Sequence, residues 1–445
     1  MTKFFLLLFL ISNLLFAGEY FVDGKKGNDS NNGSRQAPFK TISEALDQAD
    51  QPGDIVNILS GKYNEAIHTE NDGLPAKPIV IQSFKNNVVQ VISGGKALKI
   101  NNEHIVVKNI LFDGAWDESP VCDINEGNVS IIGCEFKNSK RDIVTIASVE
   151  NVLIENCKIH HGFSWYAKTK KEPHGISTAG VKNLTIRNCE IFQITGDCIQ
   201  ISPSRSDWDN VLIEGCTFWV EPISANQSAE AGLPNDAIGK IMAENAIDLK
   251  ADKEDNPKAH NIKIKNCSAY GFHSTRIKNA AAFNIKNPVT CTLDGIKSWD
   301  NEIAMRLRFP AEVIVINSLF YENKIAIRFE DDMKKLHLLN NTFGSGIKKH
   351  LRKVGKLPGD FRVENNLFTG KKMPKIFSKE ITQFNLAIHP NKVNSFFVNP
   401  SEHDYHLKNG SPAIDSAKDI NFIKTDIDGK KRPQNGIFDF GAYEF

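Results

Sequence analysis

An all-β solenoid, a parallel β-helix wound from one chain, is the fold class that this sequence predicts, and three observations predict it. The first is a repeat: "NVSIIGCEF", "NVLIENCKI", "NLTIRNCEI", "NVLIEGCTF" and "NIKIKNCSA" set Cys134, Cys157, Cys189, Cys216 and Cys267 at one phase. The later copies "VIVINSLFY", "LHLLNNTFG" and "FRVENNLFT" keep the apolar alternation and the asparagines without the cysteine. The second is period: side chains alternate in twos, coils recur at roughly 22 residues, and Asn or Gly marks the corners. The third is a second strand after each cysteine-phase strand, with inward pairs Ile199/Ile201, Ile247/Leu249, Phe283/Ile285, Met305/Leu307 and Ile327/Phe329. The cysteines are expected as an inward stack of buried thiols rather than disulfides, and no CxxC or CxxH spacing makes them metal ligands.

The elements follow in order. Residues 1–17, with one lysine, an apolar run and a small-residue end at Ala17–Gly18, read as a cleaved signal peptide, which implies a secreted or periplasmic protein. No later segment reaches membrane length. Residues 18–74 form an N-terminal cap region, where "TISEALDQAD" carries Thr41 and Glu44 as a capping box and Ile42, Ala45, Leu46 and Ala49 on one helical face. Such a helix covers the open strand edge of a solenoid. Residues 75–370 are the single-stranded helix proper, and 371–445 an irregular C-terminal cap whose "DIDG" reads as a turn. Net charge is +1, from 54 basic and 53 acidic residues, so no overall field draws nucleic acid. A monomer is expected.

Aligning the second strands gives two outward columns. One runs Ser177, Gln200, Asp248, Asn284, Arg306, Arg328, and the other Ala179, Ser202, Lys250, Lys286, Arg308, Glu330. Lys250, Lys286 and Arg308 then stand one coil apart, at about 4.8 Å, and like charges directly opposed destabilise a sheet. An anionic ligand is the expected counterpart. Three connections on one rim are long, Cys157–Ile176, Cys216–Ile247 and Cys267–Phe283, giving loops over 158–175, 217–245 and 268–281. They bring Trp165, His174, Trp219, Glu244 and Arg276 toward that face, and long loops on one rim of a solenoid commonly form its binding site.

With these residues in view, the chain resembles the secreted right-handed β-helix polysaccharide lyases, the pectate lyases and the chondroitinase B and alginate lyase group. The resemblance covers nearly all of the chain after the signal, including the "YFVDGKKGNDSNNGSRQAPFKTISEAL" opening and the "DFGAYEF" ending. It implies a lysine base on a strand entered by an acidic residue, as "AENAIDLK" is entered by Glu244, an arginine from the following coil, here Arg276, and calcium nearby. The spacing differs from the family's by one residue, and no "RHG" follows Arg276. "GDCIQIS" is similar to the "DDCIAI" of polygalacturonases, with only Asp197 of their aspartate pair.

A lyase withdraws the proton next to a uronate carboxylate and expels the glycosidic oxygen from the neighbouring carbon. That requires cations on the carboxylate and an unprotonated base, and a lysine among cations is easier to deprotonate. Lys250 is the expected base, with Lys286, His174 and Arg276 next. Arg306, Arg308, Arg328, Asn284, Gln200, Trp165 and Trp219 are the expected contacts to an acidic polysaccharide, and Asp197, Glu244 and Asp248 the candidates for Ca²⁺. An inverting hydrolase using Asp197 and Asp248, a C5-epimerase, and a non-catalytic glycan-binding protein remain open.

Overall fold

The computed structural model describes residues 17–165, 172–202, 208–251, 259–330 and 332–445, and in it the chain winds through three long sheets. The first has 13 strands, from Glu19–Val22 to Asp360–Glu364. The second has 11, from Ile67–His68 to Lys349–Val354, and the third 13, from Gly61–Tyr63 to Leu386–Ile388. Each strand pairs in parallel with the strand of the same phase one coil away, which is the expected right-handed parallel β-helix. The coils extend past the 75–370 range at both ends, since Glu19–Val22 and Ile55–Ile58 already pair in parallel and Leu386–Ile388 adds a last rung. Residues 1–16 of the expected signal, and Tyr166, Lys168, Lys170 and Lys171 of the first long loop, lie outside the described residues.

The corners explain the recurrent Asn and Gly. Gly133, Asn156, Asn188, Gly215, Asn266, Gly295, Asn317, Asn340 and Asn365 each take a positive φ just before the cysteine phase. Gly has no Cβ to clash there, and Asn tolerates the left-handed region better than other residues. Inside, Ile176, Ile199, Ile247, Phe283, Met305 and Ile327 pair in unbroken register and are fully buried. Each contributes about 1.5–3 kcal/mol by leaving water.

The thiols are buried and free, all eight of them. After Cys267 the same corner changes chemistry. Ser318, Asn341, Asn366 and Asn385 follow, and the Asn366 amide donates to Asn385 Oδ1 (2.8 Å) while its own Oδ1 accepts from Asn341 Nδ2 (2.9 Å). The N-terminal helix spans Ile42–Gln48 and packs on the first strands. Thr41 caps it as expected, accepting from the Glu44 N–H (3.2 Å), but the reciprocal bond of a capping box is replaced. Asp29 takes the Thr41 N–H (2.9 Å), and the Glu44 carboxylate accepts from Gln48 instead (3.1 Å). In "DIDG", Asp426 Oδ1 accepts the N–H groups of Asp428 (3.0 Å) and Lys430 (2.7 Å), so the motif is a turn.

Candidate active site

The second sheet places the outward column as the alternation predicts: Ser177, Gln200, Asp248, Asn284, Arg306 and Arg328 pair coil to coil, and Arg352 continues the row. Lys250 pairs with Lys286, and Arg308 with Glu330. The row of like charges is not left uncompensated, however. Asp248, 2% exposed, holds Lys250 Nζ at 3.3 Å through Oδ2 and Lys286 Nζ at 3.1 Å through Oδ1. Glu330 does the same for the arginines, binding Arg306, Arg328 Nη2 (3.0 Å) and Arg308 (4.0 Å). The expectation that only an external anion offsets the cations is therefore corrected: long side chains reach across a coil to a buried carboxylate. Burial pushes the Asp248 carboxyl up, as does the charge of Asp197, with Lys286 and Lys250 opposing. Burial also raises Glu330, but Arg306, Arg328 and Arg308 outweigh it and leave it below the usual carboxylate range.

A further column stands two residues before the first inward position of each strand, at the corner of the sheet: Asp142, His174, Asp197 and Asn245. His174 Nδ1 lies 2.9 Å from Asp142 Oδ1, and Ser177 Oγ donates to Asp142 Oδ2 (2.6 Å). His174 Nε2 accepts from Gln200 Nε2 (2.7 Å), and that amide also donates to Asp197 Oδ2 (2.9 Å). Asn245 Nδ2 donates to Asp197 Oδ1 (2.7 Å). Burial lowers His174, yet the Asp142 hydrogen bond and the charges of Asp197 and Asp142 hold it above the ordinary imidazole value. Asp142 and Asn245 were not singled out from the sequence. Extending the strand alignment two residues upstream, through "RDIV", "PHGI", "GDCI" and "ENAI", reveals them. In the next coils the column turns apolar, to Ala281, Ile303 and Ile325, so the polar network ends where the cationic row begins.

The described parts of the long loops pack on one another. Trp165 packs on Ile223, Ala237 and Met242, and the Arg276 guanidinium lies over the Trp165 ring at 4.9 Å. Thr275 N donates to Ile241 O (2.9 Å), tying the loop after Ser268–Tyr270 to the 217–245 loop. That loop contains a helix, Ala225–Glu230, whose Ser224–Gln227 capping box was a readable signal.

Two expected contacts lie elsewhere. Trp219 belongs to the strand Thr217–Trp219 of the third sheet, stacked on Phe192 at 4.3 Å, and does not join the site. Arg328 is 9% exposed and bonded to Glu330 and Asn279, so it holds the face and the loop together instead of meeting ligand. Glu244 stands at the opposite end of Asn245–Lys250 from Lys250. Its carboxyl is pushed up to about 8 by burial, by Asp197, and by Glu172, with which it shares a hydrogen bond.

Asp197 and Asp248 are not arranged for calcium. Both oxygens of Asp197 accept amide donors, Asp248 faces the Nζ atoms of two lysines, and among the described residues no group of three or more His, Cys, Asp or Glu side chains is arranged to hold a metal ion. The Asn284 amide donates to Asp248 Oδ1 (2.9 Å), and its own buried Oδ1 has no partner among the described residues.

Comparison with known proteins agrees with the fold. Residues 65–233 match the family model for a right handed beta helix region. The solved structure of pectate lyase Pel9A superposes with a TM-score of 0.50 at 14% identity, covering 96% of both chains. A rhamnogalacturonan lyase superposes with a TM-score of 0.51 at 12% identity, over 79% of this chain and 87% of that one. The uncharacterized protein YwoF of Bacillus subtilis (strain 168) is 35% identical over 78 residues, only 18% of this chain and 16% of that protein. Among the described residues no helix is long and apolar enough to cross a membrane.

Proposed function

We propose that the protein is an exported polysaccharide lyase that cleaves a uronic-acid-containing chain by β-elimination. One observation carries the reading: from Lys250 toward the later coils the ions that reach the outer face of the second sheet are cations, and Asp248 stands behind them. The Lys250, Lys286 and Arg308 side chains are 29%, 21% and 36% exposed, against 2% for Asp248 and 0% for Asp197. Such an arrangement suits an anionic substrate whose charge grows in the transition state. The names of the two structural neighbours, lyases of pectate and rhamnogalacturonan, support the same class.

Lys286 and Arg308 face the substrate carboxylate. Lys250 takes the proton from the carbon next to it. The electron pair left on that carbon forms a double bond to its neighbour, whose bond to the glycosidic oxygen breaks, and the oxygen leaves with a proton from water. Asp248 stabilises the ammonium that forms on Lys250. Gln200 and Asp197 are positioning groups, fixed by the Asp142–His174 pair.

A hydrolase needs two carboxylates with a water between them. Asp197 and Asp248 are both buried and hydrogen-bonded, which weighs against that route. The deciding experiment incubates the protein with a panel of acidic polysaccharides and scores ultraviolet absorbance and reducing ends. Unsaturated ends support the lyase. Saturated ends mean a hydrolase, inverted C5 without cleavage an epimerase, and binding with neither a glycan-binding protein.

A further inference from the structure

The outward column does not stop at the proposed catalytic lysines. It continues in register through Asn284, Arg306 and Arg328 to Arg352 on the last strand of the sheet, Lys349–Val354. From Asp248 to Arg352 that is four coil steps, roughly 19 Å at the inter-strand spacing, the length of several sugar units. The last strand differs from those before it. Lys349 and Lys353 occupy the inward phase of Ile325 and Phe329, yet both are exposed because among the described residues no further strand of this sheet lies beyond them. Lys348 and Arg352 are exposed as well.

These four cations have no acidic side chain within 4.0 Å among the described residues. The acids nearby are engaged elsewhere: Glu330 with the three arginines, Asp332 with Lys356, Asp360 with His337, and Glu364 with Arg362. Lys371 and Lys372 leave the third sheet next to this strand, since Gly370 packs against the His350 ring. Residues 345–375 hold nine Lys or Arg and two Asp or Glu. The opposite end of the sheet has the reverse character. Asp123 is closed off by Lys96 and Thr145, and Asp142, Glu172, Asp197 and Glu244 gather at the corner before Lys250.

We propose that the binding face is one-sided: the anionic run of the polysaccharide extends from Lys250 and Lys286 toward the last coil, where Arg352, Lys353, Lys349 and Lys348 hold additional acidic units. The carboxylate corner on the other side of Lys250 repels such units and admits a neutral sugar or a chain end. This rests on the acidic-polysaccharide reading and deepens it. The cations at the last coil are the part of the face that no described acidic side chain pairs with, so their charge is available to a ligand, and exposed charges of this kind act within about 8 Å at physiological ionic strength.

The test is affinity electrophoresis of the full chain through gels containing polygalacturonate, alginate, chondroitin sulfate or neutral dextran, at two salt concentrations. Expected are retardation by at least one acidic polymer, none by dextran, and at least tenfold weaker retardation with a shallower salt response in Arg352→Ala/Lys353→Ala. Arg352→Glu should weaken it further, and Arg352→Lys/Lys353→Arg should restore it. Unchanged retardation of the alanine and glutamate variants, with Lys286→Ala impaired, overturns the one-sided track and leaves the lyase reading intact. Retardation by no acidic polymer, or binding only to DNA or to anionic vesicles, overturns the track as well. The lyase reading is then judged separately by unsaturated product.

Discussion

Along the third sheet the outward side chains of successive coils lie ring on ring, whereas along the second they set charge against charge. The ring row runs His160–Phe192 (4.5 Å between centroids), Phe192–Trp219 (4.3 Å), Trp219–Tyr270 (6.5 Å), Tyr270–Trp299 (4.6 Å), Trp299–Tyr321 (5.5 Å) and Tyr321–His403 (4.4 Å). A repeat unit of one coil makes like meet like. For aromatic rings that juxtaposition is favourable, and each ring covers the face of the next. For cations it is unfavourable, so the second sheet carries Asp248 and Glu330 among its lysines and arginines. The difference separates scaffold from site. The rings satisfy one another, while the cations remain in surplus and turn to the outer face.

The strongest way to break this comparison is to remove the base. Lys250→Ala should lower kcat by ~10²–10⁴-fold on the substrate found in the polysaccharide panel, with the thermal midpoint close to wild type. Steady-state kinetics and a melting curve check it, and near wild-type kcat moves the base to Lys286 or His174.

Next in size is the counter-ion. Glu330→Gln takes from Arg306, Arg308 and Arg328 the carboxylate they share and should cost on the order of 3 kcal/mol in urea unfolding, since the Arg306 and Arg328 charges are largely buried. The sign with pH follows from Glu330 lying below its usual range. Its contribution is present above the unfolded carboxyl value and is lost as pH falls through the folded one, so wild type and variant should converge in acid. A constant gap down to low pH would show that the arginines do not depend on this carboxylate.

A ring removed from the other face should read out differently. Trp219→Ala opens the stack between Phe192 and Tyr270 and removes the Nε1 hydrogen bond to Glu190 (3.0 Å). Because the ring is only half-buried, the expected loss is about 2 kcal/mol of stability, below the range for a fully buried Trp. The kcat should hold. A fall in kcat without loss of stability would return Trp219 to the site, where the sequence first put it.

That misplacement shows what the sequence can carry. The column Gln200–Asp248–Asn284–Arg306 was readable because strand alternation has a strict period of two and the inward Ile, Phe and Met residues pin it. Trp219 was assigned to the site because it begins a long insertion, yet it is the last residue of a strand, and its direction follows the strand. Asp142 escaped because the aligned columns began at Ser177, one coil after its own strand, and Asn245 because only the outward positions were read, whereas His174 and Asp197 at the same corner were found through a long loop and a motif. The partnership of Asp248 with both lysines, and of Glu330 with arginines on its own strand and its neighbour, depends on how far long side chains bend, which a column of letters does not contain.

The smallest expected effect lies at the edge of the site, where the cationic row gives way to acids. Glu244 is pushed up to about 8 by burial, by Asp197, and by Glu172. Between the ordinary glutamate value and that one, the folded protein binds more protons than the unfolded chain, so this group makes stability fall as pH rises. Glu244→Gln cannot titrate and keeps the shape of the protonated acid. The variant should match wild type near about pH 5 and become more stable than it toward about pH 8, by on the order of 1 kcal/mol for a group that is only part-buried. Melting curves across that range measure it. A gap that stays constant with pH, or closes in alkali, would mean that Glu244 ionises freely beside Asp197 and Glu172, and that the acidic corner does not repel a carboxylate strongly enough to make the binding face one-sided.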